Sequence, residues 1–231
     1  MFRDISVLIP YKPDQGPRDK AFGYVKRFYE TYMPAAQLCI GEVDGEPFSR
    51  SQAINRAAAK AKGSVFVVVD NDIIYDPALL LRSIELLNEH QWVIPFTTIH
   101  RLSKGYSERL VLTGSGQWPL PEKPDTKTAG ATYFVGGMNV LLRSSFEQVG
   151  GYDERFRGWG GEDEAFAYAL DTLIGKHRRL EGELIHFWHP FVGPGGNPHY
   201  DDNYLLYRRY KNALSDPAAM LRLIQEKREA K

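Results

Sequence analysis

The sequence predicts an α/β fold, a mostly parallel sheet with helices on both faces, and three observations lead there. Strand-like and helix-like segments alternate over roughly the first 100 residues, the pattern of a three-layer α/β sheet. The strand-like segments are continuous apolar runs, as expected of strands buried on both faces. The run VFVVV (65–69) stops on Asp70-Asn71-Asp72. That places charge where ligands bind in such sheets, outside the strand ends.

The elements follow in order. ISVLIP (5–10) reads as a first strand, stopped by Pro10 and a loop with Pro13, Gly16 and Pro17. DKAFGYVKRFYETY (19–32) has helical spacing, with Phe22, Val25, Phe28, Tyr29 and Tyr32 as its inner face. QLCIGEV (37–43) is a second strand, and SRSQAINRAAAKA (49–61) is a helix with Ser49 as N-cap. After the third strand, PALLLRSIELLNEH (77–90) opens a helix with proline at its first position, and QWVIPFT (91–97) is another strand.

From 101 to 130 the texture turns to Gly, Pro, Ser, Thr and Lys, which predicts a long surface loop, a lid or binding loop. TYFVGGMNVLLR (132–143) reads as strand on both sides of Gly136-Gly137, and SSFEQVGGYD (144–153) as a short helix ended by glycines. GWGGEDEAFAYALDTLIGKH (158–177) is a glycine loop entering a helix, and ELIHFWHP (183–190) is a strand. The tail from 201 reads as two amphipathic helices broken near Asp216-Pro217. In its YLLYRRYKNAL stretch, Tyr204, Leu205 and Leu206 or Tyr207 are expected to pack on the body, with Arg208, Arg209 and Lys211 in water. The sharper alternative is a weak nucleic-acid or membrane-surface contact. The expected organisation is one domain over 1–231. A nucleotide-binding half covers about 1–100, an acceptor and catalytic half about 130–190, and a helical tail 201–231.

Bulk composition narrows the function classes. The chain of 231 residues is 43% hydrophobic and 25% charged, with Lys plus Arg and Asp plus Glu both at 29. No global field therefore recruits nucleic acid or an acidic membrane. The single Cys39 cannot form an internal disulfide. No apolar run approaches the ~20 residues that span a bilayer, and no signal-peptide core is visible. A cytoplasmic protein without an integral membrane segment is the expectation.

Three clusters could carry chemistry. Asp70 and Asp72, two apart at a strand end, could offer two oxygens to one hard divalent cation while a diphosphate supplies others; a solvated turn is the plainer alternative. In GWGGEDE (158–164), Glu162, Asp163 and Glu164 would stabilise a helix start through its macrodipole. Three glycines around Trp159 are not explained by that. Glycine lets a substrate approach the backbone, Trp159 offers a flat apolar face for a sugar ring, and a carboxylate there could take a proton from a hydroxyl. In HFWHP (186–190), a strand-end imidazole could complete a metal site with the two aspartates, and its nitrogen suits Mn²⁺ where an all-oxygen set suits Mg²⁺.

Together the clusters resemble the GT-A type nucleotide-sugar glycosyltransferases, especially their β-1,4-galactosyltransferase-like branch. GWGGED (158–163) is the most specific element, and TYFVGGMNVLLRSSFEQVGGYDE (132–154) resembles the segment preceding it in that family. VVVDND (67–72) resembles the metal-binding D-x-D, LIP with Tyr11 the first strand and donor-base loop, and FSRSQAIN (48–55) the helix near the donor. The resemblance implies a Rossmann-like GT-A sandwich and a Mn²⁺- or Mg²⁺-dependent inverting transfer of a hexose or N-acetylhexosamine, with UDP as the carrier.

Residue by residue, it implies that Pro10, Tyr11 and Asp44 line the nucleoside pocket, with Lys12, Arg50, Asn55 and Asn71 nearby. Where the galactosyltransferases carry an arginine soon after the aromatic, this chain offers Lys12 or Arg18. Asp70 meets the ribose or the metal, Asp72 ligates the metal, and His186 is the metal-ligating histidine, with His189 the weaker candidate. Gly136 and Gly137 let donor and acceptor approach. Trp159, Tyr133 and Glu164 touch the acceptor, beside the acidic pair Glu162 and Asp163, with Asp163 as general base. The acceptor is left as glycan, lipid-linked glycan, protein or modified DNA. Two other readings stand beside this one. A sugar-nucleotide nucleotidyltransferase would need a glycine- and basic-rich phosphate loop that PYKPDQGPRDK fits poorly, and a silent carbohydrate-binding protein has no need of Asp70, Asp72, Asp163 and a strand-end histidine together.

Overall fold

The structure is a computed structural model describing residues 4–121, 125–191 and 193–230. The first half runs β1 (Ile5–Tyr11), α1 (Pro17–Tyr32), β2 (Gln37–Glu42), α2 (Arg50–Lys60), β3 (Val65–Val69), β4 (Ile73–Tyr75), α3 (Pro77–Leu86) and β5 (Trp92–Ile94). Then come β6 (Thr98–Leu102), α4 (Lys104–Thr113), β7 (Thr126–Gly130), β8 (Met138–Leu142), α5 (Arg143–Gln148) and α6 (Glu162–Leu173). The chain ends with β9 (Arg178–Arg179), β10 (Glu183–His186), α7 (Tyr200–Asn212) and α8 (Pro217–Glu229).

A six-stranded sheet in the order β2-β1-β3-β8-β5-β9 forms the centre. It is parallel except where β8 runs antiparallel to both β3 and β5. Its strands are apolar throughout because both faces are covered: Leu8, Val67, Trp92 and Val140 are fully buried. On α1, Phe22, Val25, Phe28 and Tyr29 form the expected inner face, joined by Tyr24, while Tyr32 is half-buried. Ser49 caps α2 by accepting from the Gln52 backbone N–H at 3.3 Å.

A second sheet, β4-β10-β6-β7, brings the site together. β10 lies antiparallel to β4 with His186 opposite Ile73, and the Phe187 N–H donates to the Asp72 carbonyl at 2.8 Å. In the central sheet, Met138 opposite Val69 continues into an Asp70 N–H to Gly137 carbonyl bond of 3.1 Å. Strand pairing alone therefore carries His186 to Asp72 and the Gly136-Gly137 pair to Asp70.

Three expectations need correction. Residues 101–130 are not one surface loop: β6, α4 and β7 occupy most of them, and α4 seats Tyr106 and Leu110 in the core. The polar composition of that stretch reflects a helix with one buried side (residues 122–124 lie outside the described residues). The segment 132–137 is loop, so the strand starts after the glycine pair; Gly137, at φ +98°, takes a conformation that extended L-residues avoid. On α7, Leu206 and Tyr207 pack on the body and Arg208, Arg209 and Lys211 are exposed as expected, but Tyr204 and Leu205 face solvent and the fully buried residues are Asn203 and Tyr210. Buried Asn203 spends its amide on the glycine loop, and Tyr210 donates its hydroxyl to Asp153 at 2.8 Å.

Candidate active site

The D-x-D aspartates go to different partners. Asp72 is 4% exposed and sits with His186 and His189, the three ligand-type atoms within 4.8 Å of one another. Its Oδ2 lies 3.3 Å from His189 Nε2 and its Oδ1 3.7 Å from His186 Nε2. His189, the weaker candidate from sequence, is thus the nearer of the two. Asp72 Oδ1 is buried without a hydrogen-bond partner among the described residues, a state that costs free energy unless a cation or donor satisfies it. Burial, the largest influence, holds the His189 imidazole below its ordinary pKa against the pull of Asp72, so the ring favours the neutral form. Its Nδ1 lies between the Pro190 carbonyl, at 2.8 Å, and the Arg18 guanidinium, while its Nε2 faces Asp72. The residues therefore fit a divalent metal, and two imidazoles with one carboxylate suit Mn²⁺ better than Mg²⁺. Arg18 flanks the cluster, its Nη2 3.2 Å from His189 Nδ1 and its Nε 4.0 Å from Asp72 Oδ2.

Asp70 lies outside that trio and belongs to a second cluster built on Arg50. Arg50 Nε donates to Asp70 Oδ1 at 2.8 Å. Arg50 Nη2 is 2.7 Å from the same oxygen, at an angle that gives Coulomb attraction rather than a second hydrogen bond. Nη1 donates to Asp163 Oδ1 and stands 4.0 Å from Glu162. One guanidinium thus faces three carboxylates in a half-dry site. Burial first, and then the Asp163 charge, push the Glu162 carboxyl up to about 8. Burial also raises Asp163, against the opposing pull of Arg50. Burial therefore favours a shared proton on this acidic group near neutral pH, most strongly at Glu162.

Asp163 is placed from three sides. Arg50 and the Tyr152 hydroxyl, at 3.4 Å, both address its Oδ1. Its Oδ2 lies against Gly136, where a Cβ would come within 2.2 Å of that oxygen. Gly136 is therefore glycine to admit the Asp163 carboxylate itself. The loop before α6 turns through Gly158, Gly160 and Gly161, all at positive φ. Asn197 holds it by donating to the Arg157 and Trp159 carbonyls at 2.9 and 2.8 Å, and Asn203 donates to Arg157 O at 2.9 Å. A Cβ on Gly158 would meet Asn197 Oδ1 at 2.4 Å.

Between the clusters lies a cavity of about 770 Å³, whose walls include Asp70, Gly136, Gly137, Trp159, Glu162, Asp163, Glu164, His186 and His189. The other sequence candidates do not line it. Pro10, Tyr11, Lys12 and Asp44 gather at the ends of β1 and β2, where Tyr11 donates to Asp19 at 2.9 Å and Lys12 to the Gly45 carbonyl at 3.0 Å. Asn55 is consumed structurally, donating to the Tyr152 carbonyl and Glu154 and accepting from the Tyr152 N–H. Asn71 is buried, and Tyr133 is 95% exposed away from the cavity wall. Tyr152, Asn197, Phe191 and Tyr200 were not singled out from sequence. Only the last had a signal, the tyrosines at helical spacing in YDDNYLLY.

A family model described as the N-terminal domain of galactosyltransferase matches residues 122–190, and one for glycosyl transferase family 2 matches 44–150. Human chondroitin sulfate N-acetylgalactosaminyltransferase 2 is 31% identical over 150 residues, 62% of this chain and 27% of that protein. Human beta-1,4-galactosyltransferase 4 is 23% identical over 169 residues, 69% of this chain and 40% of its own length. The chain thus spans well under half the length of these curated relatives. A crystal structure of GalNAc-T7 with UDP, GalNAc and Mn²⁺ superposes with a TM-score of 0.54 at 14% identity, covering 92% of this chain and 50% of the other. Among the described residues no helix is long and apolar enough to cross a membrane. The chain has the GT-A glycosyltransferase fold and resembles the β-1,4-galactosyltransferase-like branch of that group.

Proposed function

We propose that this protein is a metal-dependent inverting glycosyltransferase. It would move a hexose or N-acetylhexosamine from a UDP-sugar to an acceptor hydroxyl, with the whole chain acting as one unit in the cytoplasm. The observation that carries the reading is one cleft with a cation-ready trio at one wall and an oriented carboxylate at the other.

Asp72, His186 and His189 would hold the cation, which when bound offsets negative charge on the departing diphosphate. Arg18, beside that trio, adds a fixed positive charge for the same diphosphate. Asp163 Oδ2 takes the proton of the acceptor hydroxyl while that oxygen attacks the anomeric carbon. The bond from that carbon to the diphosphate oxygen breaks on the opposite face, its electron pair leaving with the diphosphate. Configuration inverts and no sugar–enzyme bond forms. Arg50 and Tyr152 fix the base through its other oxygen, so Oδ2 stays free for the proton. Glu162, keeping its proton, can donate a hydrogen bond to a sugar hydroxyl, and Trp159 offers an apolar ring face.

The test is calorimetric titration with a panel of nucleotides and nucleotide sugars, with and without Mn²⁺. Tight binding of one UDP-sugar only with Mn²⁺ supports the reading and names the donor for an acceptor screen. Absence of binding by every nucleotide would sink it and leave a glycan-binding cleft.

A further inference from the structure

The cleft does not end at Trp159. Its wall continues over Tyr200, Tyr204 and Tyr207 of α7, with Phe191 beside them. Trp159 and Tyr200 have centroids 6.2 Å apart and planes 18° from parallel. Tyr200 and Tyr204 follow at 6.3 Å and 17°, and Tyr204 and Tyr207 at 6.1 Å and 27°. These separations lie within the ~4.5–7 Å of paired aromatic rings, so the four rings form a continuous staircase of near-parallel rings. Positions 200, 204 and 207 fall on one helix face by spacing. Trp159 is 42% exposed and Tyr204 48% exposed, Tyr200 is half-buried, and Tyr207 is half-buried against the core. The core contacts of α7 are made by Asn203, Leu206, Tyr207 and Tyr210, and Asn203 ties the helix to the carbonyls of the Arg157–Trp159 loop. The staircase is therefore rigidly attached to the catalytic loop.

Resting on the glycosyltransferase reading, we propose that Tyr200 and Tyr204 continue the Trp159 platform outward as further acceptor subsites. The acceptor is then an uncharged glycan chain of three or more sugars. Its accepting sugar lies at Trp159 and the next ones lie over Tyr200 and Tyr204. Flat aromatic faces in series match the apolar faces of successive sugar rings, and the tyrosine hydroxyls serve the sugar hydroxyls at their edges. Charge argues for a neutral chain. Glu162, Asp163 and Glu164 stand at the inner end, and exposed Asp201 and Asp202 occupy the first turn of α7. α7 carries Arg208, Arg209 and Lys211 toward its C-terminal end, where Arg209 is engaged by Glu226 and Lys211 lies over the Tyr207 ring, and Arg101 is the arginine among the cavity walls. A phosphate or sulfate backbone would run past carboxylates before reaching the basic residues of α7.

The test is binding of cello- and chito-oligosaccharides of one to four sugars, without nucleotide, to the full chain and to Tyr204→Ala and Tyr204→Trp. Affinity in at least one series should rise about 10-fold or more from one sugar to three. Tyr204→Ala should return the trisaccharide to the monosaccharide value, Tyr204→Trp should restore it, and UDP affinity with Mn²⁺ should be equal in all three proteins. Affinity independent of length in both series, an unchanged trisaccharide affinity in Tyr204→Ala, or tighter binding of oligo-dT or a sulfated oligosaccharide would each overturn the proposal. Length-dependent binding without binding of any UDP-sugar would remove the transferase reading and leave the platform. Transfer to a monosaccharide with the same kcat/KM as to a trisaccharide would do the opposite.

Discussion

Asp70 and Asp72 are two residues apart on one strand end, yet they live in opposite electrostatic situations. Asp72 faces two imidazoles and keeps one buried oxygen unpaired, whereas Asp70 is neutralised by Arg50, which it shares with Asp163. One cluster offers ligand atoms to a divalent cation; the other is organised around the Arg50 guanidinium. A two-acid motif read from sequence as a single metal site is here divided between the Asp72–His186–His189 cluster and the Arg50–Asp163 cluster. The physical cause is β-pairing: β10 delivers histidines beside residue 72, while α2 delivers an arginine beside residue 70.

The sharpest way to break this contrast is at the catalytic wall. Asp163→Asn should lower turnover by ~10²–10⁴-fold, the usual contribution of a general base, with UDP-sugar affinity nearly unchanged. Steady-state rates beside calorimetry check it, and an equal loss in both would make Asp163 a binding residue. Gly136→Ala should cost ~10²-fold in turnover through displacement of the Asp163 carboxylate, since the added methyl occupies the place of Oδ2. Melting temperature should move little by comparison.

At the metal wall, Asp72→Asn should weaken Mn²⁺ binding by at least ~10–100-fold, beyond the loss typical of outer-shell partners. Asp70→Asn should weaken it far less, and His186→Ala and His189→Ala should fall close to each other. Titration followed by Mn²⁺ paramagnetic resonance reads all four. If Asp70→Asn matched Asp72→Asn, the division of the motif would be wrong.

The smallest effect concerns the shared proton. Glu162 has a folded-state pKa raised to about 8, above its unfolded value. From the ordinary carboxylate range up to about 8 the folded chain therefore holds a proton that the unfolded chain has released. Stability falls as pH rises through that window. Glu162→Gln removes this slope. The variant should match the wild type near pH 4 and exceed it by about 1–3 kcal/mol at pH 8, as denaturant melts at the two pH values would show.

Much of this was legible in the chain. Continuous apolar runs predicted buried strands, and β3 (65–69) falls where VFVVV placed it, because such a run has no solvated face to choose. GWGGED announced a tight loop opening an acidic helix, since glycines at positive φ and carboxylates at a helix start are local effects. Tertiary structure alone decided the partners. That Asn55 would be spent on Tyr152 and Glu154, that Gly136 would make room for a carboxylate, and that α7 would turn Tyr204 outward all depend on segments far apart in sequence. Local propensity fixes what a residue can offer; the long-range pairing of β3 with β8 and β4 with β10 determines to whom it is offered.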